Sequence, residues 1–526
     1  MKKAKKLLIA ILVITMSLSS VAYAFELTED GLMPIRAIFE QSGAEVTWNE
    51  DERSVLISIT DAGFPLFPID GQTEILLFPG QINAYINGNP IALSEAVVIR
   101  QNTAFMSPAD LNLIAMAMMP TVTLELTEEA RDIALYDFEI MYGMIFENSI
   151  WPYIAYRRTG VDMGELLGQN RALIESMQPI TVPLMLIADE LKDGDDARSL
   201  AANYLFGLTM TTLTMPFEGL GHMMVYPLMG HNLVLGAILA AEDNEYLRKM
   251  YAVHTHPSAL WFYGEHTIIE QGDGMTQNPY NVTTEILVPN EIAYMRIETF
   301  MNNPLIDDAI ILAFLQEVED YEHLIIDIRG NPGGIANHFF ASVMARLVNE
   351  PVDVAEHQFL PGTDLAMGWV DAFMEQFYGV EGLESSITPA AEFISDNAFT
   401  HFNEDNLEIL EYVLSYSFVL APLEDAVNFN GEIWLLVDGN SASASTGVTL
   451  AVLSTGFATV VGENTHHVMN VLHAVKAMPN TGMIFRVDIG FVVDSYGRNV
   501  EVGGIPPQVP NHPNMDALET VLALIG

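Results

Sequence analysis

The chain has no cysteine. That excludes disulfides, thiolate metal sites and a lipid-modified N-terminal cysteine, so the fold depends on its buried core alone. Positive charge is also scarce: 21 Lys and Arg stand against 69 Asp and Glu, a formal net charge of −48. A surface this acidic repels phosphates, and no nucleic-acid partner is expected. Solubility is the simplest consequence of the charge. No H-E-x-x-H string occurs, and the histidines of V-H-T-H-P (253–257) and His266 have no defined carboxylate partner. The acidic run K-D-G-D-D lacks the spacing of a Ca²⁺ loop. Neither a metal nor an organic cofactor is therefore expected. Beyond the N-terminal segment no apolar run reaches the roughly 18 residues of a membrane span, so the mature chain is expected to be soluble.

What is present is a long, apolar chain of 526 residues, 50% hydrophobic, enough for two to four domains with sizeable cores. It opens with basic M-K-K-A-K-K, apolar L-L-I-A-I-L-V-I-T-M-S-L and small A-Y-A, the pattern of a signal peptide over 1–24 with cleavage after Ala24. Without that segment, which carries four lysines and no acid, the charge is −52. A secreted or cell-surface location follows as an expectation, with membrane anchoring by the same segment as the alternative.

Residues 25–122 read as a small α+β unit. G-L-M-P-I-R-A-I-F-E-Q-S-G-A-E-V-T-W-N-E-D-E-R-S-V-L-I-S-I gives a short helix, a strand, an acidic turn and a strand, and Asn87-Gly88 marks a later hairpin. L-M-P-I-R-A-I-F-E-Q-S-G and A-F-M-S-P-A-D-L-N-L-I-A both set a Met-containing strand end before an amphipathic helix. This stretch resembles the stalk-like repeat named after the N-terminal domain of copper amine oxidases. The resemblance implies an attachment or spacer module without copper chemistry, and hence cell-envelope attachment. Residues 123–285 show apolar spacings of three and four and read as mainly helical. Their many methionines suit an adaptable core. Residues 286–526 alternate strands and helices, which predicts a mixed or parallel sheet covered on both faces. Within them 353–425 reads as an acidic, irregular insertion with helical pieces, suited to form a lid.

Three strings carry the chemistry. L-I-I-D-I-R-G-N-P-G-G (324–334) is a buried strand running into glycines, whose backbone can approach a ligand closely. V-D-G-N-S-A-S-A-S-T (437–446) leads from a strand into a helix, and G-E-N-T (462–465) follows a third strand. Taken singly, the first is an ordinary turn and the serines are helix caps. In this order they resemble the tail-specific, or C-terminal-processing, serine peptidases over roughly 290–526. That resemblance implies an α/β fold of the ClpP/crotonase type, a serine nucleophile at Ser443, and a peptide or protein substrate. Oxyanion donors are expected from Gly333, Gly334 and Ala444, the last at a helix N-terminus with unpaired amides.

The base is less direct. The lysine of the lysine-dependent members falls on Val468, which cannot take a proton. The tricorn-like branch, which uses an upstream histidine and a late glutamate, is matched by His222 in E-G-L-G-H-M-M-V and Glu501 in E-V-G-G-I-P-P. Imidazole has the intrinsic pKa for the task, and a carboxylate can orient it. His466 and His467, in the loop where the lysine would stand, are alternative bases. Two more departures, Thr446 for Glu and Gln508 for Asp, fit a second reading: a catalytically inactive peptidase fold that binds peptides or cell-envelope components. The expected whole is an exported serine peptidase with a Ser443–His222–Glu501 triad. No PDZ-like domain is visible to capture substrate C-termini.

Overall fold

The computed structural model describes residues 33–183, 196–214, 224–225, 256–263 and 278–526, apart from 42–43, 51, 60–72, 94–95, 101–102, 107–109, 112–113, 115–117, 119–120, 378–382, 398, 400–401, 467–471, 494–496 and 498–503. The chain divides into two compact units, Met1–Leu124 with Pro179–Ala188 and Glu125–Gln178 with Asp189–Gly526. Among the described residues no helix is long and apolar enough to cross a membrane.

The first unit begins with β1 (Met33–Pro34) and α1 (Ile35–Gln41). β2 (Glu45–Asn49), β3 (Ser54–Ile59), β4 (Thr73–Leu77), β5 (Asn83–Ile86) and β6 (Asn89–Ala92) then form one antiparallel sheet in sequence order. β7 (Val98–Arg100) and β8 (Thr103–Met106) join β1, and Met33 pairs with Met106. The two Met-containing segments singled out in the sequence are thus partners. Asn87 and Gly88 both have positive φ, 49° and 82°, the backbone that a two-residue hairpin requires. The Asn87 side chain also accepts from the Glu74 amide at 2.8 Å. Alternate residues point inward, so that Ile57, Ile75 and Leu77 meet Ile35 and Phe39 in one core. β9 (Thr121–Leu124) pairs antiparallel with β10 (Ile180–Pro183).

The second unit opens helically with α2 (Glu128–Asn148), α3 (Trp151–Thr159), α4 (Met163–Glu175), α5 (Ala197–Thr209) and α6 (Pro257–Tyr263). Their starts are chemically marked. Thr127, Asp162 and Asp196 each accept amides of the following first turn, satisfying donors that a helix leaves open. β11 is the short strand Met224–Val225.

The α/β part is built on six strands, β12 (Val282–Val288), β13 (Ile292–Ile297), β14 (His323–Asp327), β18 (Glu432–Val437), β19 (Thr459–Gly462) and β23 (Val509–Pro510), in that spatial order. β12 runs antiparallel to β13, and every other pairing is parallel. Strand parity sorts the side chains. Met295, Leu324, Ile326, Leu435, Val437 and Val460 face a core shared with α7 (Pro304–Glu317), α8 (Ala336–Phe339) and α11 (Ala444–Thr455). Ile325, Leu436 and Val461 face the other way, onto α12 (Ala517–Ile525). Burial on both faces explains why these strands read as unbroken apolar runs. α8 continues through a π turn, Phe340–Met344, into Ala345–Leu347.

The stretch 353–425 is not irregular. β15 (Val352–Leu360), β16 (Leu383–Pro389) and β17 (Tyr412–Leu420) form a sheet with β22 (Phe491–Val492), with α9 (Asp364–Phe377) and α10 (Ala390–Asn397) between the strands. β15 and β17 pair antiparallel from Val352 opposite Leu420 to Leu360 opposite Tyr412. Asp353 and Ala355 lie exposed while Val354 is buried, so one polar face interrupts the apolar pattern. Val354 joins the main core, with Phe418 and Leu420 packed against it. β20 (His473–Ala477) and β21 (Ile484–Asp488) make a hairpin to which β11 adds a third strand.

Candidate active site

β14 and β18 lie side by side and parallel, so the two loops that follow them open at the same edge of the sheet. In open α/β sheets that edge is where ligands bind. The loops are sewn together. The Ser441 hydroxyl donates to the Ile328 carbonyl at 2.9 Å, the Asp438 carboxylate accepts from the Gly330 amide at 2.9 Å, and the Ala442 amide donates to the Asn331 carbonyl at 3.0 Å. Ser441 is fully buried and serves this junction. Thr446 is buried too, its hydroxyl donating to the Ser441 carbonyl at 3.1 Å.

Ser443 stands at the turn from β18 into α11. It is half-buried, and its backbone has φ 52° and ψ −114°. A side-chain-bearing residue at positive φ carries strain of about 1–3 kcal/mol, which such sites keep for a purpose. Its side chain makes no capping bond to the helix. A sharp strand-to-helix turn of this kind holds a serine oxygen out at the end of the sheet, in the manner of a nucleophile elbow.

The two glycines face this elbow. A Cβ on Gly333 would lie 2.6 Å from the Ala442 carbonyl oxygen and 2.8 Å from the Ala444 amide nitrogen, so only glycine lets the loops approach this closely. Gly334 makes a parallel bridge with Phe300: the Phe300 amide donates to the Gly333 carbonyl at 2.9 Å and the Ile335 amide to the Phe300 carbonyl at 3.1 Å. The Thr299 hydroxyl also donates to the Gly333 carbonyl, at 3.2 Å. In a trans peptide the N–H points opposite to the C=O. The Gly334 N–H therefore points away from Phe300 and has no protein acceptor among the described residues. The Ala444 amide likewise has none, as expected for the first residue of a helix. Gly333 differs from expectation. Its amide donates to the Asn331 side chain at 2.9 Å, so in this arrangement it shapes the loop rather than offering a donor.

Residues 291–510 match peptidase family S41, and residues 21–115 match the copper amine oxidase N-terminal domain. The chain carries an S41 peptidase domain. Among solved structures it is similar to a putative peptidase from Parabacteroides merdae, at 14% identity over 74% of this chain and 96% of that one, TM-score 0.41. It is also similar to the photosystem II D1 C-terminal processing protease, at 18% identity over 48% of this chain and 54% of that one, TM-score 0.29. Tricorn protease is a third, at 12% identity over 44% of this chain and 17% of that one, TM-score 0.24. No curated protein matches the sequence.

The remaining strings of the S41 domain gather at the same edge. After β19 the Glu463 amide donates to the Val437 carbonyl at 3.1 Å and the His466 amide to the Ser441 carbonyl at 3.1 Å. Thr465 is zipped to Ile505 through its amide and hydroxyl, both at 3.0 Å. Gly504 passes so close that a Cβ there would lie 1.8 Å from the Thr465 carbonyl oxygen. The loop of His466 is thus fastened to the residue two positions before the elbow. His222, Glu501 and His467 lie outside the described residues. The Gln508 side chain accepts from the Val460 amide at 2.9 Å, so a neutral acceptor suffices at the position where the resemblance led to an expectation of Asp.

The D-I-R of the first string is an anchor. Asp327 is fully buried and accepts from the Tyr294 hydroxyl at 2.7 Å, the Arg329 amide at 2.8 Å and the Arg329 guanidinium at 2.7 Å. Arg329 extends to Asp516 at 2.9 Å, joining this loop to the cap of α12. Burial, then the Asp327 charge and hydrogen bond, push the Tyr294 hydroxyl up to about 12, so it remains a donor. Sequence reading missed Asn331, Asp438 and Thr299 as loop-setting residues. The first two sat within the quoted strings; Thr299 follows a different strand and carried no signal. Among the described residues no group of metal-ligating side chains could hold an ion.

Proposed function

We propose that the chain is an exported serine peptidase in which Ser443 attacks the scissile carbonyl. The observation that carries this is the strained backbone of Ser443 at a strand-to-helix turn packed on Gly333. The Ser443 oxygen forms a bond to the carbonyl carbon while its proton passes to an imidazole. The carbonyl oxygen becomes an anion, held by the amides of Ala444 and Gly334. The imidazolium then returns the proton to the leaving amine as the C–N bond breaks, leaving an ester on Ser443. Water, activated by the same base, hydrolyses that ester.

His222 is assigned as the base and Glu501 as its orienting carboxylate, with His466 and His467 as the alternative bases. A second carboxylate, Asp488, competes for the orienting role. It is fully buried on β21, the strand that pairs Arg486 with Met224 of β11, two residues beyond His222 in the chain. The leader-like segment 1–24 and the match to the copper amine oxidase N-terminal domain support the reading of an enzyme outside the cell, attached to the envelope through that domain. Intact mass of the exported protein, starting at Phe25, checks the first half of that assignment.

The test is hydrolysis of a quenched fluorescent peptide library by the full chain. His222→Ala is expected to abolish turnover and His466→Ala to spare it. The reverse pattern would reassign the base, and no turnover in the parent protein would remove the enzymatic reading.

A further inference from the structure

Behind the glycine loop lies a buried polar cluster that the chemistry above does not use. Asp307, in the first turns of α7, is fully buried and accepts from the Asn281 and Asn302 side-chain amides, each at 2.7 Å. His338 of α8 faces it, Nε2 lying 3.2 Å from Asp307 Oδ2, with the two side chains 2% and 0% exposed. Neither ring nitrogen of His338 has a hydrogen-bond partner among the described residues, so it faces Asp307 as a nearby polar ring rather than as a bonded donor. Its ring meets the Phe300 ring edge-on at 6.1 Å. Burying such groups is costly, and an apolar filling would pack as well.

The cluster touches the oxyanion loop through short chemical links. Asn281 also donates to the Thr299 carbonyl at 3.0 Å and accepts from the Thr299 amide at 3.1 Å. Asn302 binds the backbone of Asn278 at 2.8 and 2.9 Å, which closes the other side of the segment. Thr299 and Phe300 between them hold the Gly333 carbonyl, and the His338 amide donates to the Ile335 carbonyl at 2.9 Å. The Thr299 fastening of Gly333 thus leads back to Asp307 through Asn281, and the Phe300 bridge lies against the His338 ring.

We propose that Asp307 and His338 are positioning residues for the oxyanion loop: they lock segment 299–302 and the start of α8, and through them the direction of the Gly334 N–H. This rests on the reading of Ser443 as the nucleophile only for its catalytic consequence; the locking itself is independent. Burial pushes the Asp307 carboxyl up, opposed by the Asn302 and Asn281 hydrogen bonds and by His338, and burial pushes the His338 imidazole down, opposed by Asp307 and Asp308.

The test uses the full chain and two readouts: hydrogen exchange of residues 328–340, and the rate of labelling by a fluorophosphonate, with peptide KM measured beside it. His338→Phe, which fills the space but removes the imidazole facing Asp307, is expected to speed exchange in that stretch. It should slow labelling by about 10- to 100-fold, the range for a displaced oxyanion donor, with KM little changed. His338→Gln, which returns a polar side chain opposite Asp307, recovers much of the rate. His357→Phe, in the four-stranded sheet, serves as the half-buried histidine control and leaves both readouts alone. Should His338→Phe not fold, Asn281→Ser loosens the same cluster and carries the same expectation. Faster exchange in a protein whose parent is never labelled supports the locking role and overturns the nucleophile instead. Unchanged exchange in 328–340, or an equal loss of labelling in His357→Phe, overturns the proposal.

Discussion

Replacing Ser443 by glycine and by alanine separates what the residue does from what it costs. Both changes remove the hydroxyl and are expected to abolish hydrolysis. They differ in the backbone. At φ 52° and ψ −114° a Cβ is strained, at about 1–3 kcal/mol, and glycine is not. Glycine gives back about 0.5–1 kcal/mol through the greater freedom of the unfolded chain. The Gly variant should therefore be more stable than the Ala variant by about 1 kcal/mol, within a range of roughly 0–2.5. At an ordinary position the order is opposite, with Ala favoured by about 0.4–1 kcal/mol. For a large domain, 1 kcal/mol moves the melting temperature by about 2–4 °C. Scanning calorimetry of the two inactive variants, paired in one buffer, resolves this difference. An Ala variant that melts above the Gly variant would refute the claim that this turn stores strain.

Gly333→Ala would drive a Cβ against the Ala442 carbonyl at 2.6 Å and displace the elbow; a shift of 1 Å is worth about 10²-fold in turnover. Gly439→Ala, whose Cβ would meet nothing closer than 3.9 Å, should keep the parental rate, and equal losses in both would contradict the packing account. Asp137→Ala strips the acceptor from the Thr481 amide at 2.7 Å and hydroxyl at 2.8 Å in the β20–β21 turn. Each donor left buried and unpaired costs about 1–3 kcal/mol, so chemical denaturation should show a midpoint clearly below the parent's. Arg346 donates to Asp308 at 2.6 and 2.8 Å and holds its carboxyl below the ordinary value. A depressed carboxyl stabilises the fold above its unfolded pKa, and that contribution fades as pH falls through the folded value. Asp308→Asn should lower the melting temperature slightly at neutral pH, because the Asp308 side chain is 38% exposed and the pair is partly screened. The gap from the parent should close in acid; a gap that stays constant to pH values below the carboxylate range would tell against the pair.

Much of the α/β part was legible because its strands are buried on both faces. I-W-L-L-V and L-I-I-D have no other comfortable state, and each is followed by residues that turn. Asn87-Gly88 announced its hairpin for a similar reason, since few other pairs take positive φ twice. The four-stranded sheet was hidden because β15 sets Asp353 and Ala355 on an open face, so its alternation reads as irregular. The distinction between Gly333 and Gly334 could not be read from two identical neighbours. It is decided by the bridge to Phe300, which arrives from a strand end more than thirty residues earlier and turns one amide toward Asn331 and the other away. The strain at Ser443 was equally silent, because serine carries no preference for that backbone. It is imposed by the loop of Gly330 and Asn331, whose bonds to Asp438 and Ala442 fix the chain that leads into the turn.

The most direct measurement is peptide mapping by mass spectrometry after exposing the folded chain to a fluorophosphonate. The account predicts one added phosphonyl group, located on Ser443 and lost when the protein is unfolded beforehand. An adduct on Ser441 or Ser445, or none on a protein shown to be folded, would contradict it.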